Sequence, residues 1–239
     1  MSNVIPLIKE DHHTIEISLD SQRFGEGVID GRRIRRTGDT ASRKLKVVCG
    51  PNCNYGWMKG LEDAAKPVLT PLLLGAGSIL NTESQLTVDK WVTLKAVVRE
   101  FEKPDCVYTS ESEREWFARQ QSPFPQSRIW IGRYQGTQWI KRHRRVFLRS
   151  RQTDLPYNFR LVAQASTFVF GSVLLHVWMG NLDRVHPYKL PLSLRQLLRQ
   201  IWPLEEASID WGAIPEIRDE STFRLSELLL SHVGAVRIF

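Results

Sequence analysis

From Leu161 to Gly180 the chain carries no formal charge, and an uncharged run of that length has few possible fates. As one helix it would be long enough to cross a bilayer; as two buried strands it would form the centre of a sheet. Gln164, Ser166, Thr167, Ser172 and His176 lie inside it, and Gly171-Ser172 stands at its midpoint. A glycine-serine pair between two apolar runs is a hairpin signal, whereas a membrane helix is only weakened by so many polar side chains. The run therefore predicts two adjacent strands, Phe159–Phe170 and Val173–Trp178, and no membrane segment.

Arg128–Tyr134 and Arg142–Arg149 show strand composition as well, with a turn signal at Gln135-Gly136. Their connections are too short for crossover helices, which predicts an antiparallel sheet over about 127–179. The preceding part has a different period. Trp57, Leu61, Ala65, Val68 and Leu72 recur every three or four residues, as on one side of a helix, with Pro67 and Pro71 predicting a kink or two short helices. Thr82-Glu83-Ser84-Gln85 has the form of a capping box opening a helix to about Glu102, with Trp91, Leu94, Val98 and Phe101 toward the core. Ser110-Glu111-Ser112-Glu113 repeats that form before a shorter helix bearing Trp116 and Phe117. Beyond the sheet, Pro187 and Pro191 mark a loop, and Leu192–Ile201 and Phe223–His232 read as helices; Trp202-Pro203 and Trp211 read as packing anchors.

Residues 1–43 are polar and irregular apart from an alternating strand at Thr14–Leu19, and a second strand, Lys44–Val48, leads into a pair of cysteines. The expected architecture is α+β: a small finger-like N-terminal element, a helical middle, then an antiparallel sheet with short helices. Two units follow, 1–80 for the finger and its kinked helix and 81–239 for the α+β domain, with its helices over about 82–121.

Charge suggests the class of partner. The chain of 239 residues has a formal charge of +7 and a pI near 9.5, and its cations are grouped. Arg32, Arg33, Arg35, Arg36, Arg43, Lys44 and Lys46 fall within fifteen residues opposed only by Asp39. Lys141, Arg142, His143, Arg144 and Arg145 form a second run on a predicted strand, where alternate residues such as Arg142 and Arg144 share a face. Such runs suit phosphate backbones, with Trp130, Tyr134 and Trp139 nearby to stack on bases; solvated edge-strand charge is the ordinary alternative. Three cysteines, Cys49, Cys53 and Cys106, are too few for a disulfide scaffold. That count, with no secretion signal at the first residues, predicts a cytoplasmic protein.

Cys49 and Cys53 are spaced to present two thiolates to one metal ion just before the helix at Trp57. A tetrahedral zinc site needs two further ligands; His12 and His13 are upstream candidates, although adjacent residues of an extended segment point to opposite faces. The alternative is a pair of packed, reduced thiols. His176, inside a predicted strand, reads as a hydrogen-bonded core or rim residue. No phosphate-binding glycine loop or dinucleotide fingerprint is present in the sequence.

Lys44-Leu45-Lys46-Val47-Val48-Cys49, Cys53-Asn54-x-Gly56-Trp57-Met58, Leu61-Glu62 and Ala65-Lys66-Pro67 together resemble a group of HNH-endonuclease-like proteins of bacteria and their phages. Trp91 with Lys95, Thr167-Phe168-x-x-Gly171 and Ile201-Trp202-Pro203 fit the same group more loosely. The resemblance implies a ββα-metal finger, in which a histidine deprotonates water and a divalent ion, held partly by a helix-side asparagine, stabilises the phosphate transition state. Asn54 matches that asparagine. If Val4-Ile5-Pro6 corresponds to the group's Val-x-Pro, Ser2 and Asn3 stand where its Glu-His would be, and its first cysteine pair would precede Met1. Asparagine is no base near neutral pH.

The expectation is thus a nucleic-acid-binding protein of phage or mobile-element type, derived from an HNH nuclease and without autonomous cleavage. Arg32 to Arg36 and Lys141 to Arg145 would hold phosphates; Cys49, Cys53 and Asn54 would organise the finger, with zinc as a structural ion. An alternative is a metal-dependent endonuclease using magnesium or manganese, with Asn54 as ligand and His12 or His13 as base. Another is an inhibitor or assembly subunit that docks on a host protein or nucleoprotein complex.

Overall fold

A computed structural model describes residues 51–101, 107–138, 141–149, 160–180 and 188–234. It opens with a short helix, α1 (Pro51–Tyr55), followed after Gly56 by α2 (Trp57–Leu73). The stripe Leu61, Ala65, Leu69 and Leu72 is buried. Of the two expectations, two short helices do not form: α2 is one helix through Pro67 and Pro71. Each proline deprives the carbonyl four residues earlier of its N–H. Pro67 is exposed and Pro71 half-buried, so this row of lost bonds runs away from the buried stripe, where water can replace them. The helix ends as a Schellman motif: Gly75, at φ 75°, donates to Leu72 O and Ala76 to Pro71 O.

A two-stranded antiparallel ribbon, β1 (Ile79–Asn81) with β7 (Ser208–Asp210), ties this region to the C-terminal part. Strands this short leave no periodicity in the sequence. Helix α3 (Thr82–Glu100) starts one residue earlier than the expected capping box: Asn81 Oδ1 accepts from Ser84 N at 2.9 Å. Gln85 is drawn inward instead. In α4 (Glu111–Gln120) the expected box is present, with Ser110 and Glu113 bonding each other's backbone N–H.

The main sheet has the order β3-β4-β5-β2-β6, built from β2 (Arg128–Tyr134), β3 (Lys141–Arg149), β4 (Arg160–Phe170), β5 (Val173–Gly180) and β6 (Leu198–Trp202), with β8 (Glu216–Ile217) parallel to the end of β2. The uncharged run is the β4–β5 hairpin turning at Gly171-Ser172. No described helix is long and apolar enough to cross a membrane. The fold is α+β. Leu192–Ile201 is corrected: only α5 (Leu192–Arg195) is helical, and β6 follows as the outer neighbour of β2. A strand buried at Leu198 and Ile201 has the three-residue spacing of a helix, which misleads a periodicity reading.

Both faces of the sheet are covered. Ile129, Ile131, Phe168, Leu175, Val177 and Met179 share a core with α2, α3 and Phe117 of α4. Trp130, Ala165, Val169, Leu174 and Trp178 pack on the other face with Tyr188, Leu194 and, from α6 (Asp219–Gly234), Leu225 and Leu229. The described part of the expected finger unit, 51–80, thus shares its core with the sheet. Thr14–Leu19 and Lys44–Val48 lie outside the described residues.

Candidate functional site

At the entrance to α2, the residues from Cys53 to Lys66 divide into anchors and an exposed edge. Trp57 meets Phe117 edge-on at 5.6 Å, and Met58, Leu61 and Ala65 join the core. Glu62 forms a largely buried ion pair with Lys95 of α3, which also lies over the Trp91 ring at 5.6 Å. Burial lowers the Lys95 pKa, with Glu62 opposing the shift. On the outer side, Lys59 and Lys66 share Asp63. Asn54 and Tyr55 are exposed, Tyr55 at 77 %.

Cys53 lies within α1, half-buried and disulfide-bonded. A sulfur so bonded offers no thiolate, so zinc at Cys49 and Cys53 concerns the reduced chain. Cys49, His12, His13, Arg32, Arg33, Arg35, Arg36, Arg43, Lys44 and Lys46 lie outside the described residues. Among the described residues, no group of three or more His, Cys, Asp or Glu side chains is placed to hold a metal ion.

The second basic run occupies β3, at one end of the sheet order. Arg142 and Arg144 stand in register with Thr167 and Ala165, whereas Lys141, His143 and Arg145 stand opposite Phe168, Ser166 and Gln164. Ala165 belongs to the face that α6 covers, and α6 packs along β3 and β4. Thr167 shares that face, whereas Phe168, Ser166 and Gln164 belong to the α3 side, where α3 itself packs on β5 and β6.

Two buried polar systems flank the sheet. On the α6 side, Thr167 Oγ1 and Tyr188 Oη each lie 2.8 Å from a His176 ring nitrogen, and Tyr188 stacks on Trp178 at 4.1 Å. Burial lowers the His176 pKa to about 3, so it is a neutral core histidine, as its strand position suggested. On the α3 side, Glu100 accepts from Tyr108 N, Thr109 N, Thr109 Oγ1 and Gln164 Nε2. Asp89 is buried on the same helix, and burial raises its pKa to about 9. Sequence reasoning missed Asp89 and Glu100. The available signal was that Gln85, Asp89, Thr93 and Glu100 keep helical spacing, a polar stripe along one side of the helix.

Comparison of the chain with family models, with curated proteins and with solved structures finds no match.

Proposed function

We propose that this chain is a nucleic-acid-binding protein built on an HNH-type nuclease finger that has lost its general base. The observation carrying this reading is the Lys44–Pro67 segment, whose helix-side asparagine is exposed beside Tyr55 while its tryptophan and methionine are held in the core. The grouped cations supply the attraction: lysines and arginines release counterions from a phosphate backbone, and an exposed tyrosine gives a base a surface to stack on. If Val4-Ile5-Pro6 is the group's Val-x-Pro, Ser2 and Asn3 stand at the positions of the base, and binding is expected without cutting.

A mobility-shift series in rising salt tests this. Affinity should fall steeply, with a log–log slope of about −0.9 for each duplex phosphate neutralised. On β3 the positions opposite Phe168 and Gln164 are the ones we assign to phosphate, because α6 packs over the alternate face. Lys141→Ala with Arg145→Ala is therefore expected to cut affinity about tenfold near 0.1 M salt and flatten the slope by about two. Arg142→Ala with Arg144→Ala should change the slope less. Affinity that ignores salt rejects the proposal. Plasmid cleavage in magnesium or manganese that depends on His12 and Asn54 would replace it with the enzymatic alternative.

A further inference from the structure

Gln85, Asp89, Thr93 and Glu100 lie along one side of α3, all buried. The row is bonded at its ends. Gln85 Nε2 donates to Leu80 O and Glu206 O, each at 3.1 Å, and Glu100 is held by Gln164 and the 108–109 segment. Between these ends, Gln85 Oε1, both Asp89 carboxyl oxygens and Thr93 Oγ1 are buried without a hydrogen-bond partner among the described residues. Residues four apart on a helix have Cβ atoms about 5–6 Å apart, so these side chains are neighbours.

Counting hydrogens shows how such a row closes. The Gln85 amide directs both its hydrogens at carbonyls, so its oxygen only accepts. Thr93 contributes one donor. An ionised Asp89 would accept only, leaving a row of acceptors with a single hydrogen among them. With a proton on Asp89, its O–H can serve Gln85 Oε1 and the Thr93 O–H can serve the other carboxyl oxygen, each through an ordered water.

Charges on the elements packed against α3 are engaged elsewhere. On α2, Glu62 pairs with Lys95, and Lys59 and Lys66 pair with Asp63. On β6, Arg199 lies 3.6 Å from Glu206, and on β5 His176 is bonded on the opposite face. Strand β1 carries no charge. Burial alone acts on Asp89.

We infer that Asp89 is a proton-binding site: the folded chain carries it as the neutral acid at neutral pH, its O–H closing the Gln85–Asp89–Thr93 row, so that the seat of α3 weakens as pH rises. The sign follows from linkage. A carboxyl whose folded pKa is raised binds more protons when folded, so stability falls as pH rises from the unfolded value near 3.8 toward about 9. Across that window the unfolding constant of the wild type should rise by up to tenfold per pH unit relative to Asp89→Asn.

The test is urea unfolding of the full chain and of Asp89→Asn from pH 5 to pH 8. A slope difference in the stated direction supports the inference, and equal slopes overturn it. Should Asp89→Asn fail to fold, the carboxyl carbons of ¹³C-aspartate-labelled wild type decide. One aspartate remaining in its neutral form at pH 7 is the expected spectrum; all aspartates ionised overturns the site.

Discussion

Glu100→Ala is expected to destabilise the fold by about 3–5 kcal/mol, the range for breaking a buried charged network by removing one partner. Glu100 is fully buried at the last turn of α3. Its Oε2 accepts from Tyr108 N at 3.0 Å and from Thr109 N and Thr109 Oγ1 at 2.8 Å, while Oε1 accepts from Gln164 Nε2 at 2.6 Å. One side chain thus joins the helix, the approach to α4 and strand β4. Alanine would leave these donors inside the protein without an acceptor, at about 1–3 kcal/mol for each that water cannot reach. Glu100→Gln keeps the shape but turns an NH2 group toward existing donors, so it should recover only part of the loss. Glu115→Ala, on the exposed side of α4, should stay within about 0.5 kcal/mol. Urea unfolding followed by tryptophan fluorescence measures all three, and a Glu100→Ala loss under about 1 kcal/mol would show that Glu100 does not hold α3 to β4 and the 108–109 segment.

The parts of this fold that were legible in the sequence share one property: their local signal and their tertiary environment agree. The β4–β5 hairpin is a long apolar run with one turn dipeptide, and burial on both faces is what an uncharged strand pair requires. Ser110 and Glu113 satisfy their cap locally, so the start of α4 needed no knowledge of the rest. The failures occur where a distant partner decides. Thr82-Glu83-Ser84-Gln85 has the right letters, but Gln85 is drawn to the carbonyl of Glu206, leaving Asn81 to cap the helix. Leu198 and Ile201 have helical spacing and become strand because the edge of β2 was open to pair. The apolar spacing of Trp57, Leu61 and Ala65 put them on one side of a helix, but nothing pointed to the Glu62–Lys95 pair that fastens α2 to α3. A carboxylate and an amine in separate segments carry no mark of each other.

Gly171→Val is the substitution expected to act most strongly at a distance from the candidate site, through the contact that seats α2 on the sheet. Gly171 has φ 51°, a region that β-branched residues almost never enter. A Cβ there would lie 2.6 Å from Leu73 O, the carbonyl that accepts the Ser172 N–H at 3.2 Å. Backbone strain at about 1–3 kcal/mol adds to a clash with a carbonyl already fixed by its own hydrogen bond. A total of about 3–5 kcal/mol is expected, or a fall in Tm of roughly 2–4 °C for each kcal/mol in a chain of this size. Gly171→Ala should show most of the same loss, because the collision is with Cβ itself. Gly60→Ala is the internal contrast. Nothing lies within 4 Å of its added methyl, and it sits in the body of α2, so it should stabilise the protein by about 0.5–1 kcal/mol. Opposite signs from two glycine-to-alanine changes, one in α2 and one in the turn that meets its end, separate local helix propensity from docking. If Gly171→Val leaves Tm unchanged, Leu73 does not meet the β4–β5 turn, and the end of α2 is not seated on the sheet at Gly171.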